Sequence, residues 1–561
     1  MRTATTSSAR TRQLRHLAAV ALLAALIVLL GALAAGTQPA GAQSHVAKPG
    51  NGGKGDHGGK GGKGGKGGKG GKGGKGGKGG KGDKGPTKLQ QPNIVMVMTD
   101  DQSPTTVLPE SMPNLFTRLM PRGTTFSDYV VTTPLCCPSR AAYMTGQYGH
   151  NNGILRNVYN DLQQKRNVLP NWLKYAGYNT AHVGKFLNGY EQGKLGAAAV
   201  APGFDLWFTE LEKRRYYNWK ASKNGKVRHY GTDDSDHVTK VTSDFAVRWT
   251  KWLAKKDPPF YMQVDYYAPH TSTGRDTRCA SSPVPEPVDE HRFDTFPMPM
   301  APNYNELDVS DKPADITGRP LLTSDNTLTI ERRYRCTLES VYGVDRGLGR
   351  IMDAVKAQGE LNDTVFIFTS DNGFFYGEHR IDKGKPDPYE ENINMPLTIS
   401  VPPRFRDRAE LVPTSDAPVA NIDLAPTLLE LADTTSCRTK NICRTMDGRS
   451  MMPIMDGAGG FPNPRPIGLE LYDCDYRGVR YDGQVYIEHS APNEYGACNR
   501  ADTEYYDLRS DPYQLENGFP AASGSSTADA IDRMRQLEAE MTVCAGIEGR
   551  DPEPASGQYC G

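Results

Sequence analysis

Two cysteines stand side by side at the start of CCPSRAAYMTG, residues 136–146. Pro138 suits an early helical position and Gly146 suits a helix end, so the stretch predicts a helix that begins close to Cys136. The free N–H groups at a helix N-terminus favour an anion and would lower the pKa of a thiol there. Cys136 is therefore a candidate nucleophile. A strained vicinal disulfide and a pair of buried thiols are the alternatives.

Two polar pairs, Asp100-Asp101 and Asp371-Asn372, could hold a metal ion. Carboxylate and amide oxygens are hard donors that suit Ca²⁺ or Mg²⁺, whereas zinc prefers histidine and cysteine ligands. Two ordinary turns are the alternative, because Asp and Asn favour turns. We expect a metal site, since both pairs follow short apolar runs of the same kind.

Four such apolar runs carry the polar residues. Their sequences are PNIVMVMTDDQ, YNTAHVGKFLNGY, PFYMQVDYYAPH and DTVFIFTSDNG. Each is short and bounded by Pro, Gly, Asn or Asp, which is typical of a buried strand. Helical patterns such as ERRYRCTLESVYGVDRGLGRIMDAVKAQ lie between them, which predicts a mostly parallel sheet with helices on both faces. Ligands bind beyond the carboxyl ends of strands in such sheets, so we expect the polar residues to converge there.

The N-terminal residues indicate export. Arginines precede the apolar run LAAVALLAALIVLLGALAA, and small residues follow it. This order is typical of a secretory signal peptide over residues 1–42, with a cleavage site at Ala40-Gly41-Ala42; an uncleaved membrane anchor is the alternative. Residues 43–88 form a Gly/Lys-rich segment, which predicts a disordered cationic tether. The tether is either a spacer or an arm that contacts anionic cell-surface polymers.

Charge and cysteine content narrow the function classes. The first 88 residues are strongly basic and the remainder is net acidic, which argues against nucleic acid as the main partner. Export implies an oxidising compartment, so the ten cysteines can form bridges. With the adjacent pair at 136–137 set aside, sequence order predicts four disulfides: Cys279–Cys336, Cys437–Cys443, Cys474–Cys498 and Cys544–Cys560.

The stretch CCPSRAAYMTG matches C-x-P-S-R-x-x-x-M-T-G, the motif of the sulfatase family, and the resemblance covers roughly residues 90–520. NIVMVMTDDQ and SDNG resemble the two metal segments of the family. GKFLNGY and KPDPYEENINMPL resemble its two lysine segments, and APH resembles its histidine segment. The CCPSR form, GHNN and GKFLNGY are most similar to the branch of N-acetylglucosamine-6-sulfatases and extracellular heparan endosulfatases.

The resemblance implies the α/β fold of the alkaline-phosphatase-like superfamily. A large mixed, mostly parallel sheet would lie between helices in a catalytic domain over residues 89–435. A smaller C-terminal subdomain over residues 436–561 would add an antiparallel sheet and a helix, for which IDRMRQLEAEMTV has the apolar spacing.

The resemblance also implies the chemistry. In this family the first cysteine of the motif, here Cys136, is oxidised to formylglycine (3-oxoalanine) by a formylglycine-generating enzyme that acts on the unfolded chain. One hydroxyl of the hydrated aldehyde attacks the sulfur of a sulfate ester, and the second hydroxyl later allows sulfate to leave. A metal ion, Ca²⁺ with Mg²⁺ as the alternative, would be held by Asp100, Asp101, Asp371, Asn372 and the modified Cys136.

Other roles carry over by position in the motifs. Arg140, one helical turn from the modified cysteine, would hold the aldehyde hydrate. Lys185 and Lys385 would clamp the sulfate as point charges, with Lys383 as the alternative to Lys385. His270 would protonate the leaving oxygen.

One segment departs from the family pattern. Many sulfatases have a histidine two residues after the first lysine, where this chain has Leu187, followed by Asn188. The glucosamine-sulfatase branch shares that asparagine, so Asn188 is a candidate substrate contact. His150, in GQYGHNNG, could supply a second acid–base histidine or bind substrate, and a loop position at the helix exit is the alternative.

These features predict a secreted enzyme that hydrolyses sulfate esters of sugars or aryl alcohols, either free outside the cell or associated with the cell wall. One alternative is a phosphonate monoester or phosphate ester hydrolase of the same superfamily, because these anions resemble sulfate in size and charge. The other alternative is a catalytically silent protein that binds sulfated glycans.

Overall fold

The computed structural model describes residues 91–190, 198–211, 215–273, 278–279, 282–385, 387–407, 410–439, 442–461, 464–471, 475–492 and 498–561. The predicted signal peptide and tether lie outside the described residues. Within those ranges, no helix combines the length and the apolar character that crossing a membrane requires.

The described strands are β1 (Asn93–Thr99), β2 (Thr124–Phe126), β3 (Tyr129–Val130), β4 (Asn179–Gly184), β5 (Leu206–Glu210), β6 (Trp219–Lys223), β7 (Lys226–Tyr230), β8 (Phe260–Asp265), β9 (Thr364–Ser370), β10 (Leu397–Ser400), β11 (Thr414–Ser415), β12 (Val419–Ala420), β13 (Cys437–Thr439), β14 (Ile442–Cys443), β15 (Ile467–Leu471), β16 (Tyr476–Tyr481), β17 (Gln484–Pro492) and β18 (Cys498–Asp507). The described α-helices are α1 (Cys136–Thr145), α2 (Gly149–Asn152), α3 (Leu169–Tyr175), α4 (Val238–Leu253), α5 (Ala314–Thr317), α6 (Ser324–Ala357), α7 (Glu390–Ile393), α8 (Leu424–Leu431) and α9 (Ser526–Met541).

Ten strands form one sheet in the order β11-β2-β10-β9-β1-β8-β4-β5-β6-β7. Its centre, from β9 to β5, is parallel, and the flanking strands pair mostly antiparallel. The four predicted apolar runs are β1, β4, β8 and β9, four neighbours of the parallel centre, so the prediction of a mostly parallel sheet is confirmed. Central parallel strands are buried on both faces, which explains why these runs are apolar almost throughout.

Successive side chains of β1 serve two separate cores. Ile94, Met96 and Met98 belong to one hydrophobic cluster, whereas Val95 and Val97 belong to another. The separation follows from the two-residue period of a strand, which turns alternate side chains to opposite faces. Helices α1, α3 and α8 contribute to the first cluster, and α4 and α6 contribute to the second.

The long helix α6 begins earlier than its apolar pattern, which starts at residue 331. A capping box at Thr323 explains the difference. The backbone N–H of Asn326 donates to the Thr323 hydroxyl at 3.2 Å, and the backbone N–H of Thr323 donates to Asn326 Oδ1 at 2.9 Å. These bonds satisfy free N–H groups at the helix start, so the helix extends through a polar first turn.

The C-terminal part adds the antiparallel sheet β15-β16-β17-β18. Helix α9 buries Ile531, Met534 and Met541 in the same hydrophobic cluster as this sheet. The predicted sheet and helix are both present, although the helix starts at Ser526 rather than at residue 531. All described residues fall in one compact unit. The domain boundary at residue 435 therefore stays a prediction.

The cysteines pair largely in sequence order. Three predicted disulfides are confirmed: Cys279–Cys336, Cys437–Cys443 and Cys544–Cys560. The fourth, Cys474–Cys498, involves side chains outside the described part of the chain. Cys136 and Cys137 are both buried and form no disulfide with each other, so the alternative of a vicinal disulfide is wrong.

Candidate active site

The carboxyl ends of the central strands bring the candidate residues to one edge of the sheet. β1 pairs in register with β9 to the last residue of both strands, and β4 ends level with β8. The residues that directly follow β1, β4 and β9 are Asp100, Lys185 and Asp371. Parallel strands end at the same edge, so these side chains leave the sheet side by side.

The two polar pairs bond to each other across the strand ends. The backbone N–H of Asp101 donates to Asp371 Oδ1 at 3.2 Å, and Asn372 Nδ2 donates to Asp101 Oδ1 at 2.8 Å. Asp101 has a left-handed φ of 64°, a conformation that Asp tolerates better than most residues. A further set of ligand atoms lies within 4.8 Å of one another, one each from Asp100, Asp101, Cys136 and His270.

Arg140 links these carboxylates to helix α1. Its Nε donates to Asp371 Oδ2 at 2.8 Å, its Nη2 to Asp100 Oδ2 at 3.0 Å, and its Nη1 to the backbone oxygen of Lys185 at 2.9 Å. The side chain is 1% exposed. Burial would lower the pKa of Arg140, but Asp371 and Asp100 raise it well above its ordinary value. The guanidinium is therefore a permanent charge in a fixed orientation.

Cys136 is the first residue of α1, and its buried Sγ lies 3.5 Å from Asp100 Oδ1. The next N–H of the helix, that of Cys137, donates to Asn157 Oδ1 at 3.0 Å. Burial and the charge of Asp100 raise the pKa of Cys136 to about 11, although two lysines oppose them. The expectation that the helix start lowers this pKa is therefore wrong, because burial beside a carboxylate outweighs the helix N-terminus.

Two lysines approach the sulfur of Cys136 from different segments. The Nζ atoms of Lys185 and Lys385 lie 3.4 Å and 2.8 Å from Sγ. Each lysine also forms an ion pair with one carboxylate of Asp100-Asp101. Lys383, the alternative from the sequence, is exposed. The loop after β9 thus brings Lys385, and not Lys383, to the cluster.

His270 turns one ring nitrogen toward the carboxylates. Its Nδ1 lies 2.8 Å from the backbone oxygen of Thr271, and its Nε2 lies 3.5 Å from Asp101 Oδ2. The ring stacks on Tyr267, with 5.0 Å between the centroids. The nitrogen beside the carbonyl is assigned as the N–H donor, which leaves Nε2 directed into the cluster. Burial lowers the pKa of His270, and the nearby charge of Asp101 only partly offsets this.

The oxygen donors beside Cys136 fit a hard divalent cation. Burial would raise the pKa values of Asp100 and Asp101, but the neighbouring cations outweigh it and keep both carboxyl groups charged. Asp101 Oδ1 and Asn372 Oδ1 already surround one positive charge, the ammonium of Lys385, which lies 3.1 Å from Asn372 Oδ1. Charged and amide oxygens in this arrangement suit Ca²⁺ or Mg²⁺.

The two predicted substrate residues differ in their surroundings. His150 Nδ1 pairs with Glu470 Oε2 at 2.8 Å, and its Nε2 lies 3.0 Å from the backbone oxygen of Cys544. These contacts occupy both ring nitrogens and favour a structural role over the predicted acid–base or substrate role. Asn188 is half-buried, and its Oδ1 has no hydrogen-bond partner within the described ranges. Asn188 stays a candidate substrate contact.

Two acidic residues that the sequence did not single out lie at the ends of β8 and β5. Asp265 ends β8, is fully buried, and has Oδ2 3.6 Å from Arg140 Nη1. Glu210 ends β5, and burial raises its pKa to about 8. Asp265 belongs to the same apolar run as His270, so its place at a strand end was a usable signal. Strand β5 was not among the predicted runs.

Comparisons with known proteins point to one family. The family model described as Sulfatase matches residues 92–434. An arylsulfatase of Volvox carteri is 32% identical over 510 residues, which cover 82% of this chain and 76% of the relative. An N-acetylglucosamine-6-sulfatase of Capra hircus is 30% identical over 505 residues, which cover 82% of this chain and 85% of the relative.

Solved structures share the fold. A protein in complex with its substrate D-glucosamine-2-N,6-O-disulfate has a TM-score of 0.60 at 24% identity, covering 80% of this chain and 97% of that chain. The phosphonate monoester hydrolase of Agrobacterium radiobacter has a TM-score of 0.58 at 19% identity, covering 80% and 96%. At these identities the likeness concerns the fold alone, and it confirms the predicted alkaline-phosphatase-like architecture.

The half-buried pair of His150 and Glu470 predicts a pH-dependent contribution to stability. Glu470 raises the pKa of His150 to about 9 against the effect of burial, and His150 lowers the pKa of Glu470 below its ordinary value of 4.5. The contribution from His150 is therefore complete below pH 6.5 and is lost as the pH rises through about 9. Glu470→Gln should lower the free energy of unfolding by about 3 kcal/mol at about pH 6 and by much less at about pH 10.

Chemical denaturation of both proteins at the two pH values measures this difference. The exposed pair of Arg156 and Asp161 provides the control, because Arg156→Gln should cost less than about 1 kcal/mol at either pH. An equal loss for Glu470→Gln at both pH values would contradict the assignment.

Proposed function

Because this chain belongs to the sulfatase family and is a sulfuric ester hydrolase, we propose that it is a secreted enzyme that acts through formylglycine at position 136 and a divalent metal ion. The observation that carries the proposal is the meeting of Cys136 with two carboxylate segments and two lysines at one edge of the sheet. The predicted signal peptide and the three disulfides support export. Contact of the tether with anionic cell-surface polymers is part of the proposal.

The surroundings of Cys136 support its conversion to formylglycine. A thiol with a pKa of about 11 keeps its proton at neutral pH and is a poor nucleophile. Cys136 is 1% exposed, so a modifying enzyme could not reach it in the folded protein. We infer that a formylglycine-generating enzyme acts on the unfolded chain. The hydrated aldehyde then supplies an oxygen nucleophile where the thiol could not.

The metal ion would be held by oxygens from both strand ends and by the modified residue. When bound, it lowers the pKa of the attacking hydroxyl and neutralises charge on sulfate oxygens. Ca²⁺ fits the mixed carboxylate and amide donors, with Mg²⁺ as the alternative. The proposed ligands are Asp100, Asp101, Asp371, Asn372 and modified Cys136.

The remaining residues position and protonate the substrate. Arg140 fixes the carboxylates and the hydrated aldehyde, because its three donor nitrogens are held in one plane. Lys185 and Lys385 bind the sulfate group from two sides of the nucleophile. Nδ1 of His270 keeps its proton on the Thr271 carbonyl, so Nε2 must take up a second proton before it can protonate the leaving oxygen.

The substrate class is a sulfate ester of a sugar, and we propose a sulfated glucosamine unit. Relatives named N-acetylglucosamine-6-sulfatase support this choice. Asp387 follows Lys385 by two residues, and burial raises its pKa to about 6 even though His489 of β17 lies close enough to oppose the shift. His489 Nε2 pairs with Glu504 Oε2 at 2.6 Å, which fixes the orientation of the ring. These two side chains could hydrogen-bond the sugar that carries the sulfate.

Turnover of matched esters tests the reaction type. Full-length protein from its native host should hydrolyse 4-methylumbelliferyl sulfate and lose activity on chelation of Ca²⁺ and Mg²⁺. Cys136→Ser should lower kcat by at least about 10³-fold, because a serine lacks the second hydroxyl that allows sulfate to leave. Faster turnover of an aryl phosphonate would indicate the phosphonate hydrolase. No turnover of either ester by formylglycine-bearing protein would indicate the silent binder.

The two lysines of the second lysine segment give a matched pair of variants. Lys385→Ala should lower kcat/KM for the aryl sulfate by about 100-fold or more, because the positive charge that binds the sulfate group is lost. Lys383→Ala should change it by less than about twofold, since this side chain is exposed. Steady-state kinetics of both variants measures the effect, and a larger loss for Lys383→Ala would reverse the assignment.

The proposed sugar contact predicts a change in substrate preference. His489→Ala should lower kcat/KM for glucosamine 6-sulfate by about tenfold, the cost of one lost hydrogen bond, and should leave the aryl sulfate within about twofold. His229→Ala on the exposed strand β7 is the control and should affect neither substrate. Equal losses of kcat/KM on both substrates would show that His489 does not bind the sugar.

A further inference from the structure

Asp265 is a buried residue next to Arg140, and the proposed mechanism does not use its carboxyl group. It is fully buried at the end of β8, and its Oδ2 accepts a hydrogen bond from Gln263. The distance of 3.6 Å from Oδ2 to Arg140 Nη1 exceeds a normal hydrogen bond. Nη1 instead donates to the backbone oxygen of Lys185 at 2.9 Å. Asp265 therefore lies against the guanidinium without being one of its bonded partners.

His182 of β4 lies on another side of the same carboxyl group. Its Nδ1 is 3.5 Å from Asp265 Oδ2, and its Nε2 is 3.3 Å from the backbone oxygen of Gly184. The nitrogen that faces a carbonyl is assigned the ring proton, so Nδ1 presents a lone pair to Asp265. Burial lowers the pKa of His182 to about 3, so the ring is neutral. Trp207 and Phe186 pack around the ring and keep it in place.

We propose that Asp265 is a positioning residue for Arg140. Its carboxyl group fills the space between Arg140 and His182 and thereby fixes the plane of the guanidinium that holds Asp100 and Asp371 beside Cys136. The inference rests on the proposed function, because it assumes that this arrangement serves the reaction.

Shape and hydrogen bonding, more than charge, account for this role. Asp100 and Asp371 already bond the guanidinium directly, so a third negative charge is not needed to balance Arg140. Burial raises the pKa of Asp265 to about 7, so its neutral form is accessible. The neutral form places an O–H, and not a second lone pair, against His182 Nδ1 at 3.5 Å.

Two substitutions test whether the shape of the Asp265 side chain, and not its charge, positions Arg140. Asp265→Asn keeps the size of the side chain and removes its charge. Asp265→Ala removes the group and leaves a cavity beside Arg140. A displacement of about 1 Å at a reacting group can cost about 10²-fold in rate, so the guanidinium need move only slightly to affect kcat.

The experiment measures kcat and KM for 4-methylumbelliferyl sulfate, normalised to the fraction of chains that carry formylglycine. Asp265→Ala should lower kcat by about 100-fold with KM within about threefold, and Asp265→Asn should keep at least about a third of the wild-type kcat. Circular dichroism and thermal unfolding verify the folded fraction. Asp265→Ser, a second short variant, should behave as Asp265→Ala.

Each other outcome decides against the proposal or against its premise. Wild-type kcat in Asp265→Ala or Asp265→Ser would show that Asp265 does not position Arg140. Equal loss of kcat in Asp265→Asn and Asp265→Ala would show that the charge matters and not the shape. A wild-type protein that carries formylglycine and does not turn over the aryl sulfate would contradict the proposed function instead.

Discussion

The buried ion pairs of Arg140 with Asp100 and Asp371 are the interaction on which the site depends. Through them one guanidinium joins helix α1 to the ends of two strands, and its third bond, to the backbone of Lys185, adds β4. Removing one partner of such a buried pair leaves an uncompensated charge and costs about 3–5 kcal/mol. The position of Cys136, one helical turn before Arg140, is thus tied to the same carboxylates that we propose as metal ligands.

The charges of the site balance only when they are considered together. Carboxylates at the ends of β1 and β9 repel one another, and burial adds to the cost of ionising Asp100 and Asp101. Arg140 offsets this with a rigid planar charge, while Lys185 and Lys385 offer compact charges on flexible side chains. The lysines can therefore bind an incoming anion while Arg140 continues to hold the carboxylates in place. Three carboxylates and three cationic side chains already balance, so a divalent cation among the same oxygens would add the positive charge that an incoming sulfate ester meets.

Much of this arrangement could be predicted from the sequence, because it follows from how the sheet is built. Strands buried on both faces must be apolar throughout, so the runs that end in Asp100-Asp101, Lys185, His270 and Asp371-Asn372 stand out. The pKa of Cys136 could not be predicted, because it depends on burial and on a carboxylate from another strand. The sequence could not decide between Lys385 and Lys383 as the sulfate-binding lysine, because the answer depends on the path of the loop after β9. The contacts of His150 could not be predicted either, because its partner Glu470 belongs to the C-terminal sheet, some 320 residues further along the chain.

The central claim is that the working group at position 136 is an aldehyde hydrate held beside carboxylates that bind a cation. Mass spectrometry of the peptide that contains Cys136, from protein made by the native host, tests it most directly. A mass about 18 Da below that of the unmodified cysteine peptide is the predicted result. A peptide in which position 136 is entirely a thiol would contradict the account.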